Sequence, residues 1–181
     1  MGSTIGVIIF VIVIVYAIAM AIRTSIKRKE LTAAGDIKTR QKNWIYQTTT
    51  FSTSTDSLDK IYQVMDIAKL RAAGIECGSV ANGAVKFRLT TASTHLMDSR
   101  GTREVMWETN LITLPMNGQA HQYKFSFQNV HTVNGSPQGA VGMNMLLTQI
   151  EKAVLALDPQ AQVQRTDGQY STQTNTRRVI H

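Results

Sequence analysis

Ser93, Thr94, His95, Asp98, Ser99 and Arg100 crowd one short stretch, STHLMDSRG. A hydroxyl, an imidazole, a carboxylate and a guanidinium are the groups that nucleophilic catalysis uses. A triad is assembled in space rather than along the chain, however, and no G-x-S-x-G nucleophile elbow is present. The stretch therefore reads as a polar loop, with His95 and Arg100 as candidates for ligand or partner contact.

Glu104 and Glu108 lie four residues apart in a strand-like run, opposite Val105, Trp107 and Thr109. At strand rise that is ~13 Å, wider than a glycosidase carboxylate pair. Cross-strand ion pairs with Arg88 and Lys124 on a wet face account for them better. His121 and His131 fall in one strand-like run, some ~33 Å apart, too far to share a metal. Gly135, Gly139 and Gly142 meet the start of a helix, but their spacing matches neither G-x-G-x-x-G nor a P-loop. They read as helix entry and close packing. The lone Cys77 excludes an intramolecular disulfide and a Cys-rich metal site. No metal, no cofactor and no enzymatic activity are expected.

What positions these residues begins at the N-terminus. Ile5 to Ile22 (IGVIIFVIVIVYAIAMAI) carries no charge. As a helix it covers roughly 27 Å, close to the ~30 Å hydrocarbon core of a bilayer. Ile5, Ile9, Phe10, Val13, Tyr16 and Ile22 are its expected membrane anchors. Arg23, Lys27, Arg28 and Lys29 follow at once. A cleaved signal peptide would carry its positive charge before the apolar run, and that run would be shorter. An uncleaved single span fits better. Lys and Arg on its C-terminal side place the N-terminus outside and the rest in the cytoplasm. The Asn134-Gly135-Ser136 sequon is then a turn.

The formal net charge is +7. Residues 23–42 hold seven basic groups against Glu30 and Asp36, a net of +5. Residues 43–181 hold twelve basic and ten acidic groups, a net of only +2. The basicity belongs to the membrane flank, which suits anionic lipid and excludes a nucleic-acid face on the domain.

The remaining chain divides into external residues 1–4, the span 5–22, a basic stalk 23–43, a soluble domain 44–158 and a polar tail 159–181 expected to be disordered. Trp44 to Ser54 reads as a strand. Asp56 to Ala72 reads as one capped amphipathic helix stopped by Gly74. Glu76–Ala81 and Ala84–Thr91 read as a hairpin on Asn82-Gly83. Arg103–Leu114 and His121–Val133 follow as strands, and Gln138–Leu157 as a helix ended by Asp158-Pro159. The fold class is α+β: a two-layer domain of about five antiparallel strands packed with two helices, behind a single transmembrane helix. In pattern, TTTFSTSTDSLDKIYQVM together with the long closing helix resembles the helix-grip (START-like) architecture.

The function these features imply is a single-pass cell-membrane protein displaying an interaction or assembly domain at the cytoplasmic face. Its expected partners are anionic lipid, an unidentified protein and a second copy of itself. The alternative is a membrane-tethered binder of a lipid or other hydrophobic small molecule. Trp107, Tyr123, Phe125, Phe127 and Met143, with Met145, would then line a cavity gripped by the last helix.

Overall fold

The computed structural model describes residues 2–92, 103–117, 120–168 and 179–180. The chain divides into two compact units, Met1–Thr39 and Arg40–His181.

The first unit is one helix, α1 (Gly2–Ala33), 32 residues long and so about 48 Å. Straight-chain and Ala positions after the span favour its continuation, and Thr24 and Thr32 return their hydroxyls to the carbonyls of Met20 and Arg28. Gly35 ends it with φ of 70°. Gly35 N–H donates to Thr32 O, and Asp36 N–H to Leu31 O, in the Schellman pattern. The stop near Gly35 is the one a glycine at that position leads one to expect.

In the second unit a single 3-10 turn (Trp44–Tyr46) leads into β1 (Gln47–Thr53). Two short helices follow, α2 (Leu58–Val64) and α3 (Ile67–Ala72), where one was expected. Ser57, not Asp56, caps α2, accepting from Asp59 N–H at 3.2 Å. Asp56 instead takes Lys60 at 2.7 Å. The break falls at Met65, whose backbone is extended, because Asp66 accepts from Lys69 N–H at 2.9 Å and starts a new helix.

Then come β2 (Ile75–Cys77), β3 (Ala84–Ala92), β4 (Arg103–Asn117) and β5 (Ala120–Gln128). Asn82 and Gly83 take φ of 50° and 69°, as the β2–β3 turn requires. β5 stops at Gln128 because Asn129 turns left-handed, with φ of 50°. His121 and His131 are therefore not on one strand. A small hairpin, β6 (Thr132–Val133) and β7 (Ser136–Pro137), turns on Asn134-Gly135 before α4 (Ala140–Leu157).

The tail expected to be disordered contains β8 (Gln162–Asp167), and Val179–Ile180 forms β9. β8 has one apolar residue, Val163, so its pattern is weak. It is held by an antiparallel ladder on β1, from Gln47↔Asp167 to Ser52↔Gln162. The sheet runs β2-β3-β4-β5-β1-β8, with β9 beside β4. Every neighbouring pair in it is antiparallel.

Alternation along the strands sends Phe51, Phe87, Trp107, Leu111, Tyr123 and Phe125 to one face, all at most 1% exposed. α4 covers them with Met143, Leu146, Leu147, Ile150 and Val154. Fully burying one such side chain contributes roughly 1.5–3 kcal/mol before entropy is counted. α4 is itself apolar and long enough to cross a membrane, but about half of it is buried here as a core helix. The α+β class expected from the sequence is the one observed, with more strands and one more helix in the domain.

Candidate functional site

α1 is long and apolar enough to cross a membrane. From Val7 to Ile22 its large apolar side chains are 41–66% exposed. Ile9, Phe10, Val13, Tyr16 and Ile22 all belong to this surface. Ile5 lies in the helix, but its side chain is outside the described residues. Arg23, Lys27, Arg28 and Lys29 occupy the next two turns, and all four are exposed.

The expected ligand or partner residues fall in three places. His95 and Arg100 lie outside the described residues. Trp107, Tyr123, Phe125 and Met143 lie inside the core, at 0%, 0%, 1% and 0% exposure, so they form no surface. A void large enough for water would leave part of a lining side chain accessible. No such area is left at Trp107, Tyr123 or Met143. The aromatic rings pack edge-on: Phe127 meets Phe125 at 4.9 Å, Trp107 at 5.4 Å and Trp44 at 6.0 Å between centroids. Phe127, the ring shared by all three contacts, is alone of the five half-buried.

Two polar features belong to the same interior. Tyr123 Oη donates to Thr55 O at 2.8 Å, and burial pushes its phenol pKa up. Trp107 Nε1 is buried and has no hydrogen-bond partner among the described residues. A Cβ on Gly139, the left-handed N-cap of α4, would stand 2.9 Å from that nitrogen.

The strongest polar cluster is one the sequence pattern did not single out. Arg40 reaches α4 with its whole guanidinium. Nε donates to Asn144 Oδ1 at 2.9 Å, Nη1 to Glu151 Oε1 at 2.8 Å, and Nη2 to Thr148 Oγ1 at 3.1 Å and Glu151 Oε2 at 3.3 Å. The Arg40 and Glu151 side chains are 6% and 2% exposed. Arg165 on β8 adds a second cation to Glu151 at 2.9 Å. The Arg40 guanidinium also lies 5.3 Å from the centre of the Trp44 ring. The signal in the sequence was a polar stripe, Asn144, Thr148 and Glu151, at i, i+4 and i+7 on an otherwise apolar helix. Charge patterning puts Arg40 in the solvated stalk, but it belongs to the second unit.

A second clamp closes the C-terminal end of α4. Asp158 Oδ2 accepts from Thr53 Oγ1 at 2.9 Å, Ser54 N–H at 2.7 Å and Ser54 Oγ at 3.0 Å. Ser54 N–H foremost, then the Thr53 hydroxyl, bring its pKa down to about 2. On the outer face of the sheet Glu108 takes Lys86 at 3.2 Å and Asn129 at 3.1 Å, while Arg88 takes Glu76 of β2. This is the cross-strand ion pairing expected there, with different partners. The Cys77 thiol is pushed up by burial, which makes it a poor nucleophile. Among the described residues, no three His, Cys, Asp or Glu side chains gather as a metal site.

No protein-family model matches the chain, and no curated protein matches it. Among solved structures it is similar to TTHA0849 from Thermus thermophilus, with 12% identity, 61% of this chain and 98% of that chain covered, and a TM-score of 0.29.

Proposed function

We propose that the chain is a single-pass membrane protein that displays its α+β domain at the cytoplasmic face of the cell membrane, for protein interaction or assembly. The observation that carries this is α1: a 32-residue helix whose apolar half is exposed all round and is followed at once by Arg23, Lys27, Arg28 and Lys29. Leaving so much apolar surface in water is costly, and lipid removes that cost. The basic turn then sits at headgroup level, where each cation gains about 1 kcal/mol from anionic lipid. The same charges favour the inside orientation.

Confinement gives the domain its use. From the end of the span, residues 23–33 rise about 16 Å as helix, and residues 34–39 add at most about 21 Å. Arg40 thus stays within about 40 Å of the bilayer, so even a weak partner contact gains from local concentration. The domain works as a binding surface and not as an enzyme. The full burial of Trp107, Tyr123 and Met143 supports surface recognition over enclosure of an apolar ligand.

The test is a pull-down from detergent extracts of membranes, with the soluble domain added as competitor. A saturable, competed protein partner is expected. Its absence, with the full chain intact in the extract, contradicts the interaction role.

A further inference from the structure

Arg40 is placed where the chain leaves the leash and enters the folded unit. Its guanidinium makes four hydrogen bonds to three α4 residues, and its side chain is 6% exposed. Trp44, four residues on, lies beneath the same guanidinium and edge-on to Phe127 of β5. The segment from Arg40 to Trp44 is therefore pinned at both ends before β1 begins. A planar fork held by a carboxylate, an amide and a hydroxyl has one geometry, unlike a solvated surface pair.

We propose that Arg40 is a latch that ends the membrane leash on the middle of α4, so that the domain's reach is set by the residues before Arg40 and not by those up to β1. The proposal rests on the membrane reading above. The latch shortens the free chain by the four residues from Arg40 to Asn43, which precede the 3-10 turn. Fully extended, those residues would add up to about 14 Å of reach. The latch also directs any pull from the anchor into α4, and through Glu151 and Arg165 into β8, rather than into the first residue of β1.

The experiment uses the full chain in vesicles containing anionic lipid. A donor dye is attached through Lys152→Cys in a Cys77→Ser background, with an acceptor on the lipid headgroups. Energy transfer is compared for two insertions of the same six-residue Gly-Ser segment. Placed between Ala34 and Gly35, the insertion is expected to lower transfer. Placed between Lys42 and Asn43, behind the latch, it is expected to leave transfer unchanged. With Arg40→Gln added, the second insertion should lower transfer like the first. Equal loss from both insertions with Arg40 intact overturns the latch, as does no loss from either. Because the insertions leave every latch residue in place, a folding failure of Arg40→Gln alone does not decide the matter. If the chain is stripped from the vesicles by an alkaline carbonate wash, the membrane reading fails, and that outcome is distinct from a failed latch.

Discussion

Arg40 grips both carboxylate oxygens of Glu151, a residue 111 positions further along the chain, at 2.8 and 3.3 Å. Both side chains are almost fully buried, so neither charge has water to fall back on. Replacing Arg40 with Ala should destabilise the domain by about 3–5 kcal/mol, toward the lower figure because Arg165 still faces Glu151. Arg40→Lys should lose less, since charge remains but the fork is gone. Urea unfolding of the full chain in micelles measures both; equal, negligible losses would show that the pair is not holding α4.

Asp158 makes a prediction about acid. Its folded pKa is about 2, below the ~3.9 of an unfolded Asp. A depressed carboxylate contributes stability that is present above pH ~4 and is lost as pH falls through about 2. The melting temperature of Asp158→Asn should therefore lie below that of the native chain at pH 7. The gap should close as pH falls from about 4 to about 2. A gap that persists unchanged at the acid end would mean that shape, not charge, makes this cap.

Gly139 and Gly135 have nearly the same left-handed φ, 70° and 72°, in different surroundings. At Gly139 a Cβ would lie 2.6 Å from Leu89 Cδ2 and 2.9 Å from Trp107 Nε1; at Gly135 nothing among the described residues lies within 4 Å. Gly135→Ala should cost only the left-handed strain, about 1–2 kcal/mol. Gly139→Ala should add overpacking of about 1–3 kcal/mol. Side-by-side denaturation curves test the difference, which must be clearly larger at position 139.

Burial raises the phenol pKa of both Tyr62 and Tyr123. A raised pKa for a group that is neutral when protonated contributes stability below the unfolded value near 10, lost as pH rises through the folded one. Ultraviolet titration should show these tyrosines ionising late, together with alkaline unfolding. Tyr123→Phe should remove the bond to Thr55 O and cost about 1 kcal/mol.

What could be read from the chain follows the range of the forces involved. α1, its Gly35 stop, the Asn82-Gly83 turn and the Met143–Val154 face depend on neighbours a few residues away, and all were legible. The break at Asp66 is also local, but a carboxylate that caps the second half of a continuous apolar period is hidden inside that period. β8 was missed because QVQRTD owes its strand to β1, more than a hundred residues earlier. The Arg40 latch was missed for the same reason: in sequence it is one of seven basic residues in a stalk. The aromatic positions were recognised, but whether their rings surround a cavity or fill it is decided by packing depth, which alternation does not encode.

The domain's confinement depends on α1 crossing the membrane with the C-terminal part of the chain inside. The direct measurement is protease digestion of a C-terminal tag on the full chain, in carbonate-washed vesicles of known and opposite sidedness. The chain should stay with the washed membrane, with its tag digested in inside-out vesicles and protected in right-side-out ones. Release by the wash, or digestion only from the outer face, would contradict it.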